Sequence, residues 1–315
     1  MRNIIFIIWY KIPKLFLIPL LPFSLIFLVI ILVRKYIFIN LLLRYTSKSK
    51  LIIIGNLNVG GSGKTPFTIW LANYLHTKEK NIAIISSGYK SNVNSPVEIN
   101  HLSKADDVGD EALLLQAKTN SVVVSSNNRV KSTKYLEDRD FEYIIHDDGL
   151  QHYYLNRNYE FVITKYKSST NNYLLPCGPL REPKFFHPDA TFILSNYHDN
   201  EYPGFYTKLS QIRSSIDNKL FALNDSKFTK SHLLTAIADD TDLKQELNLY
   251  HKNIKSISFA DHHKFILEDI PVTTEPIIVT EKDFTKLKVF NIKNIYILEQ
   301  SVFPNDKLIK IIEKL

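Results

Sequence analysis

Hydrophobic residues are concentrated in the N-terminal part of the chain, up to about Phe38. No charged residue occurs from Leu15 to Val33, a length close to the roughly 20 residues that a helix needs to cross a membrane. The block is apolar on every side, whereas a helix at the surface of a soluble core is apolar along one stripe. The pattern predicts an N-terminal helical segment that associates with a membrane.

Two prolines, Pro19 and Pro22, leave the topology of this segment open, because proline kinks or breaks a helix. A single spanning helix, a broken hydrophobic hairpin and a helix lying in the interface are all compatible with the pattern. A cleaved signal peptide is disfavoured, since no small-residue cleavage site follows. Arg34 and Lys35 follow the block and place the rest of the chain on the cytoplasmic side.

A glycine-rich turn follows the first short apolar run. Leu51–Gly55 has the pattern of a buried parallel strand, Asn56–Thr65 that of a turn, and Pro66–Leu75 that of a helix. This order of strand, glycine-rich loop, Lys-Thr and helix is the context of a Walker A motif. The pattern departs from the strict motif at Asn58, where a glycine is expected.

Glycines allow the backbone N–H groups of such a loop to point at phosphate oxygens, and the helix N-terminus adds partial positive charge. We expect Lys64 to reach the β- and γ-phosphates and Thr65 to offer its hydroxyl to Mg²⁺. The predicted nucleotide-binding residues are Asn58, Val59, Gly60, Gly61, Ser62, Gly63, Lys64, Thr65 and Pro66.

A second apolar run, Tyr143–His146, ends in two adjacent acids, Asp147 and Asp148. An acid at the carboxyl end of a strand beside the phosphate loop is the Walker B arrangement, which holds Mg²⁺ directly or through water. The alternative interpretation is a simple Asp-Gly turn. Gln151 and His152 follow, and they either position a phosphate or substrate, or cap the turn.

Asp110 precedes the helical stretch Ala112–Lys118, where an acid often serves only as a partner of the helix dipole. Transfer of a phosphoryl group to a hydroxyl, however, needs a carboxylate or a histidine that takes the hydroxyl proton. Asp110 is therefore a candidate catalytic base.

Composition narrows the range of partners. The formal net charge of +7 favours anionic partners, but no basic run interleaved with aromatic residues indicates a nucleic-acid surface. Cys177 is the only cysteine, which excludes an intramolecular disulfide and a cysteine metal cluster. No feature indicates an obligatory protein partner.

Several blocks in a fixed order resemble the tetraacyldisaccharide 4'-kinase family, the lipid A 4'-kinases of Gram-negative bacteria. These blocks are Gly55–Pro66, Ser87–Lys90, Gly109–Glu111, Asp147–His152, Leu174–Pro183, Asp261–His262 and Thr280–Asp283. The Asp-Asp-Gly-Leu-Gln-His and Gly-Pro-Leu-Arg-Glu-Pro segments are specific to that family and are not general features of phosphate loops. Asn58 fits the family's own version of the loop.

The resemblance implies an ATP- and Mg²⁺-dependent kinase. It would phosphorylate the 4'-hydroxyl of a tetraacylated glucosamine disaccharide 1-phosphate and give the lipid A precursor lipid IVA. It implies an anionic acylated disaccharide and a membrane surface as partners. The expected location is the cytoplasmic face of the inner membrane of a Gram-negative bacterium.

The resemblance also implies roles for individual residues. Asp110 is the expected base and His262 its partner, although the adjacent His263 leaves the choice between the two histidines open. Asp147 and Asp148 are expected to organise the metal and the phosphoryl group, with Thr65 as a further metal ligand. Candidate nucleotide or lipid headgroup contacts are Tyr89, Arg129, Gln151, His152, Arg181 and Glu182.

Alternating strand and helix patterns predict an α/β fold: a mostly parallel P-loop sheet, a second smaller α/β domain and a helical membrane-associated segment. The predicted regions are a membrane anchor with a linking helix (1–50), a nucleotide-binding kinase domain (51–195) and a C-terminal domain (196–315) that closes over the active site. Because Asp110 and His262 fall in different predicted domains, their meeting is expected to require this closure. The strands expected after residue 189 are Ala190–Leu194, Leu233–Ile237, Ile254–Phe259, Ile277–Thr280 and Ile295–Leu298, with a helix over Phe303–Leu315.

Two rival functions use the same phosphate loop without lipid kinase activity. A membrane-tethered nucleotide switch would need an Asn-Lys-x-Asp guanine reader, and Thr280–Asp283 has its lysine in a different position. A partition-type ATPase would carry an additional lysine before the double glycine, where this chain has Val59.

Overall fold

The computed structural model describes Trp9 and residues 14–87, 95–166, 171–237 and 240–315. Within these residues the strands are β1 (Lys50–Gly55), β2 (Ile82–Ser86), β3 (Val97–Glu98), β4 (Val122–Ser125), β5 (Tyr143–His146), β6 (Tyr159–Lys165), β7 (Thr191–Ser195), β8 (Gly204–Ser214), β9 (Leu220–Phe221), β10 (Ser231–Thr235), β11 (Ile254–Ser258), β12 (Ile277–Thr280) and β13 (Ile295–Pro304). The α-helices are α1 (Leu21–Tyr36), α2 (Lys64–Thr77), α3 (Ala105–Val108), α4 (Asp110–Lys118), α5 (Arg129–Glu137), α6 (Thr241–Asn248), α7 (Glu281–Leu287) and α8 (Asp306–Ile312).

The chain divides into two compact units. The first contains Met1–Ile85, Asn128–Tyr206 and Pro304–Leu315, and the second contains Ser86–Asn127 and Thr207–Phe303. These units do not coincide with the predicted boundaries after residues 50 and 195. The segment Ser86–Asn127 groups with the C-terminal part of the chain because α4 packs against α7.

The first unit is built around a parallel sheet with the order β7-β6-β1-β5-β2. Strand β1 lies between β5 and β6 in parallel register, with Ile53 beside His146 of β5 and beside Glu160 of β6. Its residues Leu51 to Ile54 are fully buried, which is why the strand is a continuous apolar run. The carboxyl ends of β1 and β5 therefore meet at one edge of this sheet, where parallel α/β sheets bind their ligands.

The second unit contains the parallel strands β11-β10-β12-β13 in that order. Alternate residues face opposite sides: Leu233 packs with α6 on one side, and Leu234 packs with Phe265 and Leu287 on the other. Both faces of β10 and β12 are covered, which explains the apolar runs from which these two strands were predicted.

The predicted strands are present with shifts of a few residues, and β13 extends beyond Leu298 to Pro304. The C-terminal helix is shorter than the predicted Phe303–Leu315. It starts at Asp306 because the side chain of Asn305 accepts a hydrogen bond from the backbone N–H of Leu308, 3.0 Å away, and so caps the helix.

The N-terminal segment is helical from Lys14 to Leu41. A 3₁₀ stretch, Lys14–Leu20, contains Pro19 and leads directly into α1, whose first turn holds Pro22. Proline is tolerated in the first turn because the N–H that it lacks would have no partner within the helix. Among the described residues, Leu15–Leu41 is the one helical segment long and apolar enough to cross a membrane.

The linking helix predicted to reach Lys50 is not present. A π-helical turn, Ile37–Leu41, ends the helical segment, and residues 42–49 are not helical. There Tyr45 pairs with Leu155 as an isolated bridge, and its N–H donates to the carbonyl of Tyr154 at 2.8 Å. Pairing with the chain after β5 replaces the local helical bonds.

One face of α1 packs on the first unit. Phe27, Leu28 and Ile31 contact Tyr153 and Phe186. The hydroxyl of Ser24 donates to the carbonyl of Leu174 at 2.9 Å and accepts a hydrogen bond from the N–H of Cys177 at 3.2 Å. The remaining face exposes large apolar side chains, which include Phe23, Leu25, Ile26, Val29, Ile30 and Val33.

The end of β1 gives a first testable prediction. A Cβ atom on Gly55 would lie 2.4 Å from the Cβ of Leu150, which is fully buried. We expect Gly55→Ala to lower the free energy of unfolding by about 1–3 kcal/mol, the usual cost of overpacking a core. Gly61→Ala is the matched control, because its added Cβ meets nothing within 4 Å. Denaturant unfolding with equal midpoints for the two variants would contradict this account.

Candidate active site

The phosphate loop connects β1 to α2 in the predicted order. Gly60 and Gly63 have φ angles of 116° and 85°, a backbone region that residues with a side chain rarely adopt. Helix α2 has 14 residues and begins at Lys64, directly after Gly63. The free N–H groups of its first turn are therefore placed at the loop, where they favour an anion.

Lys64 extends over the loop towards two polar partners. Its Nζ lies 3.1 Å from Oδ1 of Asn56 and 3.6 Å from Oδ1 of Asp148. Asn56 is buried, and its amide also donates to the carbonyl of Gly60 at 3.2 Å. Asn56 thus connects the end of β1 to the loop and to Lys64. Asn56 was not among the predicted site residues, although its place directly after the strand was a signal of such a role.

Asp147 is held by two threonines of α2. Oδ2 accepts a hydrogen bond from Thr65 at 3.1 Å, and Oδ1 accepts one from Thr68 at 2.9 Å. Asp147 itself is 2% exposed. Thr65 was a predicted site residue and Thr68 was not. Thr68 lies three residues further on and therefore on the same face of the helix. The two hydroxyls fix the strand-end acid against the helix of the phosphate loop.

Asp148 presents an open acceptor at the same edge. Its Oδ1 is buried without a hydrogen-bond partner and lies 3.6 Å from Lys64 Nζ and 3.7 Å from a guanidinium nitrogen of Arg181. Burial alone would raise the pKa of Asp148, but the Lys64 and Arg181 charges lower it below its usual range. Asp148 therefore stays ionised with an oxygen available to a cation.

These residues fit Mg²⁺. The ion prefers oxygen ligands and usually takes one or two carboxylates together with phosphate oxygens and water. Thr65, Asp147 and Asp148 supply oxygen atoms beside the phosphate loop. In the part of the chain that the structure describes, no cluster of three or more His, Cys, Asp or Glu side chains could hold a metal alone. The nucleotide and water would complete the coordination.

Arg129 does not lie where a substrate contact would. It is 1% exposed and donates to the carbonyl of Ile85 and to the carbonyl of Asp147, each at 2.7 Å. Ile85 and Asp147 stand at the carboxyl ends of β2 and β5. Arg129 therefore positions the strand-end acids from the interior.

Gln151 and His152 lie close to these acids. The Gln151 amide donates to the carbonyl of Asn56 at 3.4 Å, and His152 Nδ1 is 2.6 Å from the Tyr154 hydroxyl. Burial, followed by the positive charge of Arg129, lowers the pKa of His152 to about 3. His152 is therefore neutral at physiological pH.

A second segment, Pro179 to Arg181, pairs with the phosphate loop through backbone hydrogen bonds. The N–H of Val59 donates to the carbonyl of Pro179 at 2.8 Å, and the N–H of Arg181 donates to the carbonyl of Leu57 at 2.7 Å. Asn58 and Leu180 form an antiparallel bridge between them. The Gly-Pro-Leu-Arg block thus holds the first half of the loop and directs Arg181 towards Asp148.

Glu182 differs from the predicted ligand contact because its carboxylate lies in a buried network. It accepts hydrogen bonds from the Tyr153 hydroxyl and from His187, whose Nε2 is 2.8 Å away. His187 also contacts Glu160 through Nδ1. Burial alone would lower the pKa of His187, but its bonds to Glu160 and Glu182 raise it. Glu182 therefore supports the loop that carries Arg181.

The second unit holds the predicted acid–histidine pair. Asp110 is the first residue of α4, and its Oδ2 lies 3.0 Å from His262 Nδ1. Burial alone would raise the pKa of Asp110, but the hydrogen bond from His262 and the Lys282 charge lower it to about 2. Both residues belong to the same unit, so their contact does not depend on closure of one predicted domain over another.

His263 has a different environment. Its Nε2 lies 2.8 Å from Oδ2 of Asp269, and its ring stacks on Phe259 with centroids 4.4 Å apart. His262 is therefore the histidine that partners Asp110, and His263 supports the loop. Lys282, which the sequence analysis did not select, lies 3.8 Å from Asp110 Oδ2. Tyr89, a predicted ligand contact, lies outside the described residues.

Comparisons with known proteins identify the family of this chain. A model of the family described as tetraacyldisaccharide-1-P 4'-kinase matches residues 16–315. Proteins named tetraacyldisaccharide 4'-kinase are similar: that of Pseudoalteromonas translucida is 30% identical over 96% of this chain and 93% of its own length. That of Psychromonas ingrahamii is 34% identical over 90% of this chain and 89% of its own length.

A solved structure has the same fold. The crystal structure of LpxK from Aquifex aeolicus in complex with ATP superimposes with a TM-score of 0.79 at 28% identity. The match covers 94% of this chain and 99% of that protein. With a family model that spans nearly the whole sequence and relatives of 30% and 34% identity, the chain belongs to the tetraacyldisaccharide 4'-kinase family.

Proposed function

We propose that this protein transfers the γ-phosphoryl group of ATP to the 4'-hydroxyl of a tetraacylated glucosamine disaccharide 1-phosphate, the step of lipid A biosynthesis that gives lipid IVA. The observation that carries the proposal is the Asp110–His262 pair, which occurs in a chain that also carries a phosphate loop. The membership of the chain in a kinase family favours the lipid kinase over a nucleotide switch or a simple ATPase.

In this proposal the first unit binds ATP and the metal ion. The N–H groups of the loop and of the first turn of α2 bind the phosphates of ATP, and Lys64 neutralises charge on the β- and γ-phosphates. Ser62 has a buried hydroxyl without a hydrogen-bond partner, which suits a phosphate oxygen. Thr65, Asp147 and Asp148 would hold Mg²⁺, which when bound supplies positive charge to the β- and γ-phosphates.

Asp110 takes the proton of the acceptor. The 4'-oxygen bonds to the γ-phosphorus, the bond from that phosphorus to the β–γ bridging oxygen breaks, and ADP leaves with the electron pair. With its pKa near 2, Asp110 is ionised at neutral pH and accepts a hydrogen bond from the hydroxyl. Such a weak base receives the proton late, when the bond to phosphorus has made the hydroxyl acidic, as suits a loose transition state.

His262 orients the base. Its Nδ1 lies within 3.2 Å of both carboxylate oxygens of Asp110. This contact, together with the hydrogen bond that Oδ1 accepts from the N–H of Glu111 at 2.9 Å, limits rotation of the carboxylate. Arg181 and Gln151, which lie near Asp148 and Asn56, are the proposed contacts to nucleotide or to the anionic headgroup.

A multiply acylated acceptor remains in the bilayer, so the enzyme has to reach it there. We propose that α1 lies in the membrane interface and does not cross the bilayer. Contacts with the first unit follow the helical segment from Leu17, whose carbonyl accepts from Cys177, to Phe38, which packs on Tyr154. A helix that crosses the bilayer alone would instead be surrounded by lipid over roughly 30 Å, which is similar to the length of this contacting segment.

Two positive charges in the last turn of α1 support this arrangement. Arg34 donates to the carbonyl of Gln151 at 3.3 Å, and Lys35 lies over the ring of Phe186, 4.3 Å from its centroid. These cations stand where an interfacial helix meets anionic headgroups. ATP is a cytoplasmic substrate, and we therefore place the enzyme on the cytoplasmic face of the inner membrane of a Gram-negative bacterium.

The kinase assignment predicts distinct effects for two substitutions. With ATP, Mg²⁺ and the tetraacyl disaccharide 1-phosphate, Asp110→Ala should lower kcat by about 100-fold or more, the usual contribution of a general base, with ATP binding nearly unchanged. Lys64→Ala should weaken both ATP binding and turnover. Radiolabel transfer to the distal sugar measures the rate.

Asp106→Ala is the control for the base, because Asp106 lies near Asp110 in sequence and makes only an exposed ion pair with Lys264 at 2.7 Å. It should keep wild-type turnover. Near-normal turnover of Asp110→Ala would refute the base assignment. If the wild-type enzyme transfers no phosphate to any lipid disaccharide, the proposed function itself is wrong.

The interfacial position of α1 predicts the side on which the N-terminus lies. A cysteine introduced by Asn3→Cys should not react with a membrane-impermeant maleimide in spheroplasts, and should react once the membrane is permeabilised. The native Cys177 is buried and provides a silent background. Val272→Cys, at a fully exposed position, is the control for a cytoplasmic site. Labelling of Asn3→Cys in intact spheroplasts would show that the helix crosses the membrane.

A further inference from the structure

Lys282 lies among three carboxylates in the second unit. Its Nζ is 3.4 Å from Asp261 Oδ1, 3.5 Å from Glu111 Oε1 and 3.8 Å from Asp110 Oδ2. The side chain of Lys282 is 18% exposed, and those of Asp110 and Asp261 are 10% and 8% exposed. We name Lys282 with these three carboxylates the lysine-centred cluster.

Contacts of the cluster with His262 form a closed ring of four residues. Nδ1 of His262 contacts Asp110 at 3.0 Å, and Nε2 lies 3.6 Å from Asp261 Oδ2. Lys282 contacts the same two carboxylates, those of Asp110 and Asp261. The ring therefore connects the start of α4, the loop after β11 and the start of α7.

Electrostatics makes the lysine necessary to this arrangement. Like charges at short range repel one another and raise carboxyl pKa values, and burial strengthens both effects. Burial alone would lower the pKa of Lys282, but Glu111, Asp110 and Asp261 raise it, so the ammonium stays charged. One permanent cation thus offsets repulsion among three acids.

The backbone of His262 also needs support. Its φ angle is 60°, in the left-handed region that residues with a side chain rarely adopt. Such a conformation persists only where the surroundings hold it. The neighbouring Asp261 carboxylate, bound by Lys282, restrains the loop at this point.

Among the described residues, no other cation lies close enough to these three carboxylates to replace Lys282. Lys286 also faces Asp110, but at 4.0 Å, and it lies closer to Asp283, at 3.1 Å. Asp283 in turn accepts hydrogen bonds from Thr235, from Thr280 and from the N–H of Ala236. Within the described ranges of the chain, the charged groups around Asp110 are thus Glu111 on its own helix, Asp261 and His262 on the loop after β11, and Lys282 and Lys286 on α7.

We propose that Lys282 is a positioning residue for phosphoryl transfer, which holds the Asp110 carboxylate and the His262 ring in their reactive arrangement. The inference rests on the proposed function and deepens it. Lys282 acts through Asp110 and His262, and so its loss should affect the chemical step rather than the binding of ATP.

The experiment compares the full-length wild type with Lys282→Met, Lys282→Arg and Lys264→Met. Lys264 is an exposed lysine of the same unit, paired with Asp106 at the surface. For each protein, kcat, the KM for ATP and the KM for the lipid acceptor are measured from about pH 5 to pH 9, and folding is checked by thermal unfolding.

Lys282→Met should lower kcat by at least about tenfold, because small displacements of catalytic groups cost one to two orders of magnitude. The KM for ATP should stay within about twofold. The ratio of variant to wild-type kcat should fall further towards about pH 5, because Asp110 is easier to protonate without the nearby ammonium. Lys282→Arg should recover most of kcat and the wild-type pH profile, and Lys264→Met should match the wild type.

A folded Lys282→Met enzyme with wild-type kcat and pH profile would overturn the inference. If Lys282→Met does not fold, Lys282→Gln provides the same test, because it keeps hydrogen bonds to the carboxylates without the charge. Wild-type kinetics of that variant would also overturn the inference. A wild type without kinase activity would instead refute the proposed function, so the two failures are distinguishable.

Discussion

A buried guanidinium fixes the edge of the sheet on which the nucleotide site depends. Arg129 donates to the carbonyls of Ile85, near the end of β2, and Asp147, directly after the neighbouring parallel strand β5. Charge-assisted hydrogen bonds of this kind are among the stronger polar interactions in proteins. They hold Asp147 where Thr65 and Thr68 of the phosphate-loop helix reach its carboxylate. The strand end, the loop and the helix are thereby locked into one arrangement.

The same unit connects this edge to the N-terminal apolar helix α1. Lys35 donates to the carbonyl of Phe186, beside His187, which bridges Glu160 and Glu182. Glu182 follows Arg181, whose backbone pairs with Leu57 of the phosphate loop. A continuous set of contacts therefore runs from α1 to the nucleotide loop. These contacts hold the loop in a fixed position relative to the exposed apolar face of α1.

Local patterns in the sequence were sufficient for the features that depend on neighbouring residues. The run Leu51–Gly55 and the glycines after it specify a strand, a loop and a helix start, and all three occur as predicted. The acids after β5 could be recognised for the same reason. The stretch 42–49 was predicted as helix because no local signal reveals that Tyr45 pairs with Leu155.

Features that depend on distant contacts were not accessible from local patterns. Arg129 and Glu182 are polar residues in specific blocks, so they resembled ligand contacts, and only the fold shows that both are buried among protein partners. The choice between His262 and His263 required their neighbours, Asp110 and Asp269. The grouping of Asp110 with the C-terminal part of the chain likewise follows from the packing of α4 on α7. Family resemblance supplied the pairing of Asp110 with His262, which spacing alone could not.

We propose that Asp147 and Asp148, held at the strand end, form the cation-binding part of the nucleotide site. The most direct test is the affinity for ATP measured by calorimetry with and without Mg²⁺, for the wild type and for Asp148→Asn. The account predicts that Mg²⁺ strengthens ATP binding to the wild type by about tenfold or more and that the variant loses most of this gain. An equal gain in both proteins, or no gain in the wild type, would contradict it.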